Sequence, residues 1–322
     1  MKPRVAILEA SHWHVSLYRE ALAEQADVVV VSDRNLQVAT ALALSFGATA
    51  CVDWRDAAAT PNLDMAFVFG RHREMPEIAK ALIARGLPFC IEKPAGLNST
   101  QVYEIAKLAN EARVPVTVPF VQRVGPLATL LQKVGRPDHA TFRFIAGPPE
   151  RYVRAGCEWM LNPAEAGGGC FINLGIHFVD LFLQAVAEPI TRVQSALHRR
   201  AHNTSVEDHA VVLMETGSGR SAVVETGYLF PDSPRKREVS CYASSSAGYV
   251  SVGDDGLATF TDAAGNSFTE QINLDSDPLY NQFAKRVLLG LADGFRGLPS
   301  LFELAAAMEV VDRAYAQEQS KI

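Results

Sequence analysis

Short apolar runs alternate with helix-like segments over the first 120 residues, and this alternation constrains the fold more than any other feature. Helical periodicity occupies residues 13–24, 35–46, 74–85 and the segment after Asn98, which can cap its helix with Gln101 as its partner. Runs that are apolar throughout indicate strands covered on both faces, and a helix between successive strands makes those strands parallel. The sequence therefore predicts an α/β fold with a doubly wound Rossmann sheet for residues 1–120. Its strand candidates are residues 4–8, 27–31, 48–52, 65–69, 89–91 and 116–118.

Closely spaced strands follow residue 120 and predict a different second domain, residues 121–322. Tight turns join neighbouring strands, which favours a large, mostly antiparallel open sheet in an α+β domain. Residues 148–166 are rich in Gly, Pro and charge and are predicted to form a long loop. Ser300 and Glu303 predict a capping box for the last helix, which could pack back toward the first domain. The strand candidates are 140–146, 190–197, 209–215, 221–228, 238–243, 248–252, 257–261 and 268–273, and the helix candidates are 126–134, 171–184, 279–291 and 301–317.

Length, charge and cysteine usage exclude several classes of protein. The chain has 322 residues, which is enough for two domains of ordinary size. Its net charge of −6 argues against nucleic acid or an anionic membrane surface as a partner. The sequence lacks a signal-peptide core and an apolar stretch of about 18 residues, so we expect no membrane span. The five cysteines are odd in number and show no C-x-x-C pair, which indicates reduced thiols in the cytoplasm.

A charged pair follows the apolar run 89–91, where Glu92 and Lys93 precede Pro94. Ligands of open α/β sheets bind just outside the carboxyl ends of the strands. Pro94 has a fixed φ and no N–H, so it ends the strand and holds Lys93 extended. A lysine that is partly desolvated beside an acid can donate a proton or act as a positioned cation. The alternative is a lysine that only reaches from the strand end to solvent.

A second motif lies at residues 167–180, where a glycine run is followed by Asn173, His177 and Asp180. Together with the E-K-P sequence at 92–94, it resembles the two signature blocks of the Gfo/Idh/MocA family of oxidoreductases. The resemblance spans nearly the whole chain. It implies a Rossmann domain followed by an α+β domain, hydride transfer between NAD(P) and a sugar, cyclitol or related polyol, and a homodimer or homotetramer formed through the open sheet.

The resemblance also implies a reactive set made of Lys93, His177 and the residue at position 173. The family has Asp at this last position, whereas this chain has Asn173, which can form hydrogen bonds but supplies no charge. His177 is then expected to be the base and Lys93 the cation that polarises the substrate oxygen. Asp180 could orient His177 from one helical turn away, or it could be a surface acid. His177 could also be a structural histidine.

The loop after the first strand departs from the Rossmann pattern G-x-G-x-x-G, because residues 9–14 read E-A-S-H-W-H. Glu9 would place a carboxylate near a pyrophosphate, which is a like-charge contact. Three interpretations stay open. The loop could bind the cofactor in a modified pose, with helix N–H groups and the Ser11 hydroxyl on the phosphates. It could bind the cofactor more weakly than the loops of relatives do. It could also have lost cofactor binding, leaving a sensor or a scaffold.

The two histidines of this loop invite a metal site, but no third ligand stands at a suitable spacing, so no metal is predicted. His12 and Trp13 are instead expected to pack against cofactor or substrate, or to seal the loop.

Other positions match cofactor contacts of the family. Asp33 follows the second strand, where an acid binds the adenosine ribose, and this favours NAD, with NADP possible. Its neighbour Arg34 could stack on adenine or meet a 2′-phosphate. Gly70, Arg71 and His72 replace the family's turn after the fourth strand, and Arg71 could supply positive charge to the phosphates. Glu92 is placed on the cofactor side with Lys93.

Two further positions complete the predicted site. Gln122 and Arg123 resemble a polar motif of the family near the nicotinamide and the substrate, although Arg123 could be a plain ion-pair residue. Trp159 is a candidate platform for a sugar ring or, equally, a loop anchor. The predicted function is an NAD(P)-dependent oxidoreductase acting on CH–OH groups. The alternative is a catalytically degenerate family member that serves as a ligand-binding or regulatory protein.

Overall fold

The computed structural model describes residues 1–319, with side chains to Gln317. The chain divides into two compact units. The first contains Met1–Phe120, Tyr152–Gly167 and Asp277–Ala306, and the second contains Val121–Arg151, Gly168–Ser276 and the described residues from Ala307 onward.

A six-stranded parallel sheet organises the first unit. Its spatial order, β3-β2-β1-β4-β5-β6, is the Rossmann order, and every neighbouring pair is parallel. Its central strands are buried on both faces, as their continuous apolar runs predicted. The predicted Rossmann fold is therefore confirmed. The strands are β1 Arg4–Leu8, β2 Asp27–Ser32, β3 Thr49–Cys51, β4 Met65–Val68, β5 Phe89–Ile91 and β6 Val116–Thr117.

Helices connect these strands, and their ends follow from local chemistry. The Asn98 side chain accepts the N–H of Gln101, as predicted, but the Gln101 side chain reaches Leu97 N–H instead of Asn98. A short helix at Trp54–Ala58 was not predicted, because five residues are too few to show helical periodicity. The helices are α1 Val15–Gln25, α2 Leu36–Phe46, α3 Trp54–Ala58, α4 Met75–Arg85 and α5 Ser99–Ala112.

An eight-stranded sheet organises the second unit. Its order is β14-β13-β12-β11-β7-β10-β9-β8, and only the β7–β10 pair is parallel among the described strands. Burial alternates along the central strands, so one face is covered while the other is more open. The predicted large, mostly antiparallel sheet is confirmed. The strands are β7 His139–Ala146, β8 Ile190–His198, β9 His209–Thr216, β10 Ser221–Gly227, β11 Arg237–Ser245, β12 Gly248–Val252, β13 Leu257–Asp262 and β14 Ser267–Gln271.

Short helices follow β7, where the sequence analysis predicted a loop. Residues 148–166 are not a long loop, because they contain two short helices and the 3-10 turn Glu158–Leu161. These elements are four or five residues long, so periodicity could not reveal them in a stretch rich in Gly and Pro. The predicted capping box of Ser300 and Glu303 is confirmed. The helices are α6 Pro126–Val134, α7 Glu150–Arg154, α8 Pro163–Ala166, α9 Ile176–Val186, α10 Asp277–Gly290 and α11 Leu301–Gln319.

The predicted helix at 171–184 begins differently from expectation, with the π turn Phe171–Gly175 ahead of α9. The buried Glu207 carboxylate accepts the N–H groups of Gly169 and Phe171, at 2.8 and 2.9 Å. A Cβ at Gly169 would overlap the backbone of Glu207. The glycine run therefore permits a close approach of two backbone segments, a tertiary requirement that spacing alone does not reveal.

One stretch conflicts with the expectation that no long apolar segment exists. The helical stretch Pro163–Val186 is long and apolar enough to cross a membrane by length and composition. However, 78% of its apolar window is buried inside the protein. Burial of that extent is what a helix has when it packs in a protein core.

Gly169→Ala is expected to lower the free energy of unfolding by about 2–3 kcal/mol, because the added methyl group overpacks the contact with Glu207. Gly217→Ala is the matched control, since its Cβ would meet Thr191 at an ordinary 3.5 Å. Thermal unfolding of both variants measures the difference. Equal melting temperatures would contradict a steric role for the glycine run.

Candidate functional site

The loops after β1, β4 and β5 meet at the carboxyl edge of the parallel sheet. β1 pairs with β2 on one side and β4 on the other, so the strand order reverses at this point. Ligands of doubly wound sheets bind in the crevice at such a reversal. The topology thus brings together residues 9–14, the turn 70–72 and the pair 92–93, which the sequence analysis had placed at the cofactor.

Glu9 takes the backbone conformation of the glycine that it replaces, with φ of 63°. Its carboxylate is buried and lies 3.4 Å from the Arg34 guanidinium, which also binds Glu74. Burial raises the pKa of Glu9 to about 7, and the nearby Arg34 only partly offsets this effect. Glu9 is therefore only partly ionised near neutral pH, which weakens the predicted repulsion of a pyrophosphate.

Asp33 is fully buried at the end of β2 and organises the same loop. Its Oδ2 accepts the N–H of Ser11 at 2.7 Å, and its Oδ1 accepts the N–H of Asn35 at 2.8 Å. The Ser11 N–H is thus already engaged, whereas the group that the sequence analysis placed on the phosphates is the Ser11 hydroxyl. Each carboxylate oxygen has a second lone pair, so Asp33 can still accept hydrogen bonds from ribose hydroxyls.

Residues 152–167 lie over this loop within the first unit. Cys157 Sγ donates to the Ser11 carbonyl at 3.1 Å, and the Trp13 ring packs edge-on against Tyr152 at 5.0 Å. Arg71 pairs with Glu165 at 3.6 Å. The covered loop borders an open cavity of about 160 Å³ whose wall includes Glu9, Ser11, His12, Asp33, Arg34, Arg71 and Trp159. Several of the predicted cofactor residues therefore line one space.

Lys93 and Glu92 are both buried, each with about 1% of its surface exposed. Glu92 Oε1 accepts the Tyr18 hydroxyl at 2.8 Å and lies 3.2 Å from His14 Nδ1. Burial raises the pKa of Glu92. The sequence analysis considered His14 only as part of the altered loop and as a weak metal ligand, and it missed Tyr18. Their spacing of four residues across the start of α1 was the available signal, since it places both on one helix face.

Buried polar atoms at this edge fit a polar ligand better than an apolar core. His12 Nε2, His72 Nε2 and Glu92 Oε2 have no hydrogen-bond partner among the described residues. An unpaired buried polar atom costs about 1–3 kcal/mol, so such a group is stable only where a ligand or water supplies the missing bond. Residues 1–317 hold no group of three or more His, Cys, Asp or Glu side chains suited to a metal ion.

The second unit holds the remaining predicted residues. Asn173 lies in the π turn, a feature frequent at functional sites, and its Nδ2 donates to the Tyr228 hydroxyl at 3.2 Å. His177 is mostly buried in the first turn of α9. Asp180 accepts from Arg123 Nε at 2.8 Å and also contacts its NH2 group. Arg123 is thus an ion-pair residue, whatever its role toward substrate. Gln122 is buried in the 3-10 turn Val121–Val124, which also contains Arg123.

The raised pKa of Glu9 makes stability depend on pH. The unfolded chain loses this proton near pH 4.5, whereas the folded chain keeps it to about pH 7. Between these values the folded state binds more protons, so the free energy of unfolding falls as pH rises. Relative to Glu9→Gln, the wild type should lose on the order of 2 kcal/mol between about pH 5 and about pH 8. Chemical denaturation of both proteins across this range is the measurement, and parallel curves would contradict the assignment.

Comparison with known proteins agrees with this architecture. Residues 10–120 match the family model for the oxidoreductase family with an NAD-binding Rossmann fold, and residues 131–250 match the model for the GFO/IDH/MocA C-terminal domain. The chain is similar to the solved structure of levoglucosan dehydrogenase in complex with NADH and levoglucosan. The match covers 100% of this chain and 98% of the chain in that structure. Its TM-score is 0.85 at 14% identity, and this likeness shows the fold.

Curated relatives match over part of their length. Trans-1,2-dihydrobenzene-1,2-diol dehydrogenase of Oryctolagus cuniculus is 26% identical over 197 residues, which is 60% of this chain and 58% of that protein. The rhizopine catabolism protein MocA of Rhizobium meliloti is 25% identical over 160 residues, 47% of each chain. The chain thus spans about half the length of these relatives.

The two family models together cover well over half of the chain, in the order that the sequence motifs predicted. The family model describes an oxidoreductase family with an NAD-binding Rossmann fold, which agrees with the predicted class and cofactor. The chain belongs to the GFO/IDH/MocA oxidoreductase family, whose first domain is an NAD-binding Rossmann fold.

Proposed function

We propose that the protein is an NAD-dependent oxidoreductase that transfers a hydride between nicotinamide and a CH–OH carbon of a sugar, cyclitol or related polyol. The observation that carries this proposal is the position of the buried Lys93 at the carboxyl edge of the sheet, where atoms of His12, His72 and Glu92 have no hydrogen-bond partner among the described residues. A buried lysine at this binding edge is placed to stabilise negative charge on a substrate oxygen. The dehydrogenase names of the relatives support the reaction class.

The proposed reaction assigns a separate task to each residue. Lys93 stabilises the negative charge that develops on the substrate oxygen. His177 accepts the hydroxyl proton while the C–H electron pair and its hydrogen pass to C4 of the nicotinamide. The alcohol becomes a carbonyl, the dinucleotide is reduced and one proton remains on the base. Asn173 orients the substrate by a neutral hydrogen bond.

Charge near Arg34 supports NAD over NADP. Its guanidinium binds Glu9 and Glu74, and the buried Asp33 lies next to it in sequence. A 2′-phosphate would have to compete with these carboxylates for one cation, which is an unfavourable exchange. We also propose that the protein works in the cytoplasm as a homo-oligomer, in line with its reduced cysteines and its family.

Arg71→Gln is expected to raise the NADH dissociation constant about tenfold, because a charge-assisted contact to the phosphates is lost. Arg73→Gln is the matched control. Both arginines pair with Glu165, but Arg71 lines the cavity and Arg73 is largely exposed. Fluorescence titration with NADH measures both variants. An equal loss of affinity in the two would remove the phosphate role of Arg71.

Lys93→Met and His177→Gln should each lower kcat by about two orders of magnitude or more, as is typical when acid–base or charge stabilisation is removed. Activity is followed as NADH formation with NAD and a panel of D-glucose, myo-inositol and related polyols. Lys80→Met, which removes an exposed lysine on α4, should keep full activity. Full turnover by both site variants on an accepted substrate would show that the roles are wrongly assigned.

One observation favours a second candidate function, a ligand-binding protein without redox activity. Glu9 occupies the position of the first glycine, which normally makes the tight turn, and Ser11 occupies that of the second, which lets the pyrophosphate approach the backbone. If this blocked the dinucleotide, a sugar could still bind in the second unit. The two functions differ in one measurement, since only the oxidoreductase binds NADH at concentrations below about a millimolar.

A further inference from the structure

Two buried histidines at the sheet edge are fixed in opposite tautomers. The backbone N–H of His14 donates to His12 Nδ1 at 3.2 Å, so that nitrogen must be an acceptor. His72 Nδ1 lies 2.8 Å from the Ala166 carbonyl oxygen, which can only accept, so that nitrogen carries the proton. Burial lowers the pKa of both rings, that of His72 to about 3. Each ring is therefore neutral. The hydrogen bond at Nδ1, the inner nitrogen, decides whether Nε2, the outer nitrogen, carries a proton.

The outer nitrogens are complementary. His12 Nε2 carries the hydrogen and is a donor, whereas His72 Nε2 has the lone pair and is an acceptor. Neither has a hydrogen-bond partner among the described residues. Both rings lie against the Trp159 indole, at centroid distances of 6.1 Å for His12 and 4.9 Å for His72. The sequence analysis assigned His12 and Trp159 to ligand binding for other reasons, and it named His72 only as part of the turn after the fourth strand.

We propose that His12 and His72 form a recognition pair for one neutral ligand group that both accepts and donates a hydrogen bond. The group accepts from His12 Nε2–H and donates to His72 Nε2. This inference rests on the proposed function, which places a dinucleotide and an alcohol at this edge of the sheet. Two groups of that system have the required chemistry, the nicotinamide carboxamide and a substrate hydroxyl.

A purely structural role does not account for the pair. A core histidine normally has both ring nitrogens bonded, because each unpaired buried nitrogen costs free energy. An anion is also a poor occupant, because it could accept from His12 but has no proton for His72. The neutral rings and the aromatic face of Trp159 instead favour an uncharged polar group on a flat or ring-shaped ligand.

Tautomers can be read directly by ¹⁵N NMR on protein with labelled histidine, without any ligand. At neutral pH we expect Nε2 of His12 to be protonated and Nε2 of His72 to be unprotonated, with assignment from the His12→Asn and His72→Asn variants. Asparagine keeps the inner hydrogen bond through its short side chain and removes only the outer nitrogen. A cationic ring or a reversed tautomer at either position would overturn the inference.

Ligand binding tests the outer nitrogens. His12→Asn and His72→Asn should each weaken binding of the occupant about tenfold, because one buried group of the ligand loses its partner. The probes are NADH and its 3-acetylpyridine analogue, in which a methyl group replaces the carboxamide NH₂. If the carboxamide is the occupant, this replacement weakens binding to the wild type but not to His72→Asn.

The second source of the same chemistry gives a different result. If a substrate hydroxyl is the occupant, the ¹⁵N resonance of His72 Nε2 moves only when myo-inositol or another accepted polyol is added with NADH. The KM for that polyol then rises in His12→Asn and His72→Asn. NADH binding and polyol KM that are both indifferent to the two variants would overturn this inference alone. Failure of the wild type to bind NADH would overturn the proposed function as well.

Discussion

Buried polar groups at the carboxyl ends of β1, β2, β4 and β5 are the constraint on which the first unit depends. These side chains are buried although they stand at the edge of the sheet, so each needs a hydrogen-bond partner there. Glu92 finds Tyr18 and His14, and Asp33 finds backbone amides. Atoms of His12, His72 and Glu92 have no hydrogen-bond partner among the described residues, and they mark the place where we expect a ligand to bind.

The altered loop after β1 follows from the same constraint. The three glycines of a Rossmann loop normally allow a tight turn, the approach of a pyrophosphate and close helix–strand packing. Here Glu9 keeps the left-handed backbone conformation of the first glycine and adds a carboxylate. Its charge is moderated by burial and by Arg34, while residues 152–167 cover the loop from above. We therefore propose the modified pose, which is one of the three interpretations open from the sequence.

The sequence predicted those parts of the structure that depend on local periodicity. Continuous apolar runs predicted the parallel sheet, and alternating strands with tight turns predicted the second one. The elements at 150–166 were missed, because helices of four or five residues carry no periodic signal. The glycine run was read as a motif, but its close contact with Glu207 depends on a residue 38 positions away.

The candidate site shows the same division between local and tertiary information. Position relative to a strand end was enough to select Lys93, Asp33 and Arg71, because the carboxyl edge of such a sheet is a binding edge. His72 was not selected, since its importance comes from a tertiary contact with Ala166. Tyr18 was missed because its spacing from His14 places both on one helix face but does not reveal the contact with Glu92. The ionisation of Glu9 depends on burial, and the tautomers of the histidines depend on hydrogen bonds at Nδ1; both appear only in the folded chain.

The central claim is that a dinucleotide binds at the carboxyl edge of the parallel sheet although the loop has no glycines. A crystal structure of the wild-type protein grown with NADH tests it most directly. The account predicts the pyrophosphate beside residues 9–14 and Arg71, with the nicotinamide end toward Lys93. Density for the dinucleotide at another place, or none in crystals that retain this fold, would contradict it.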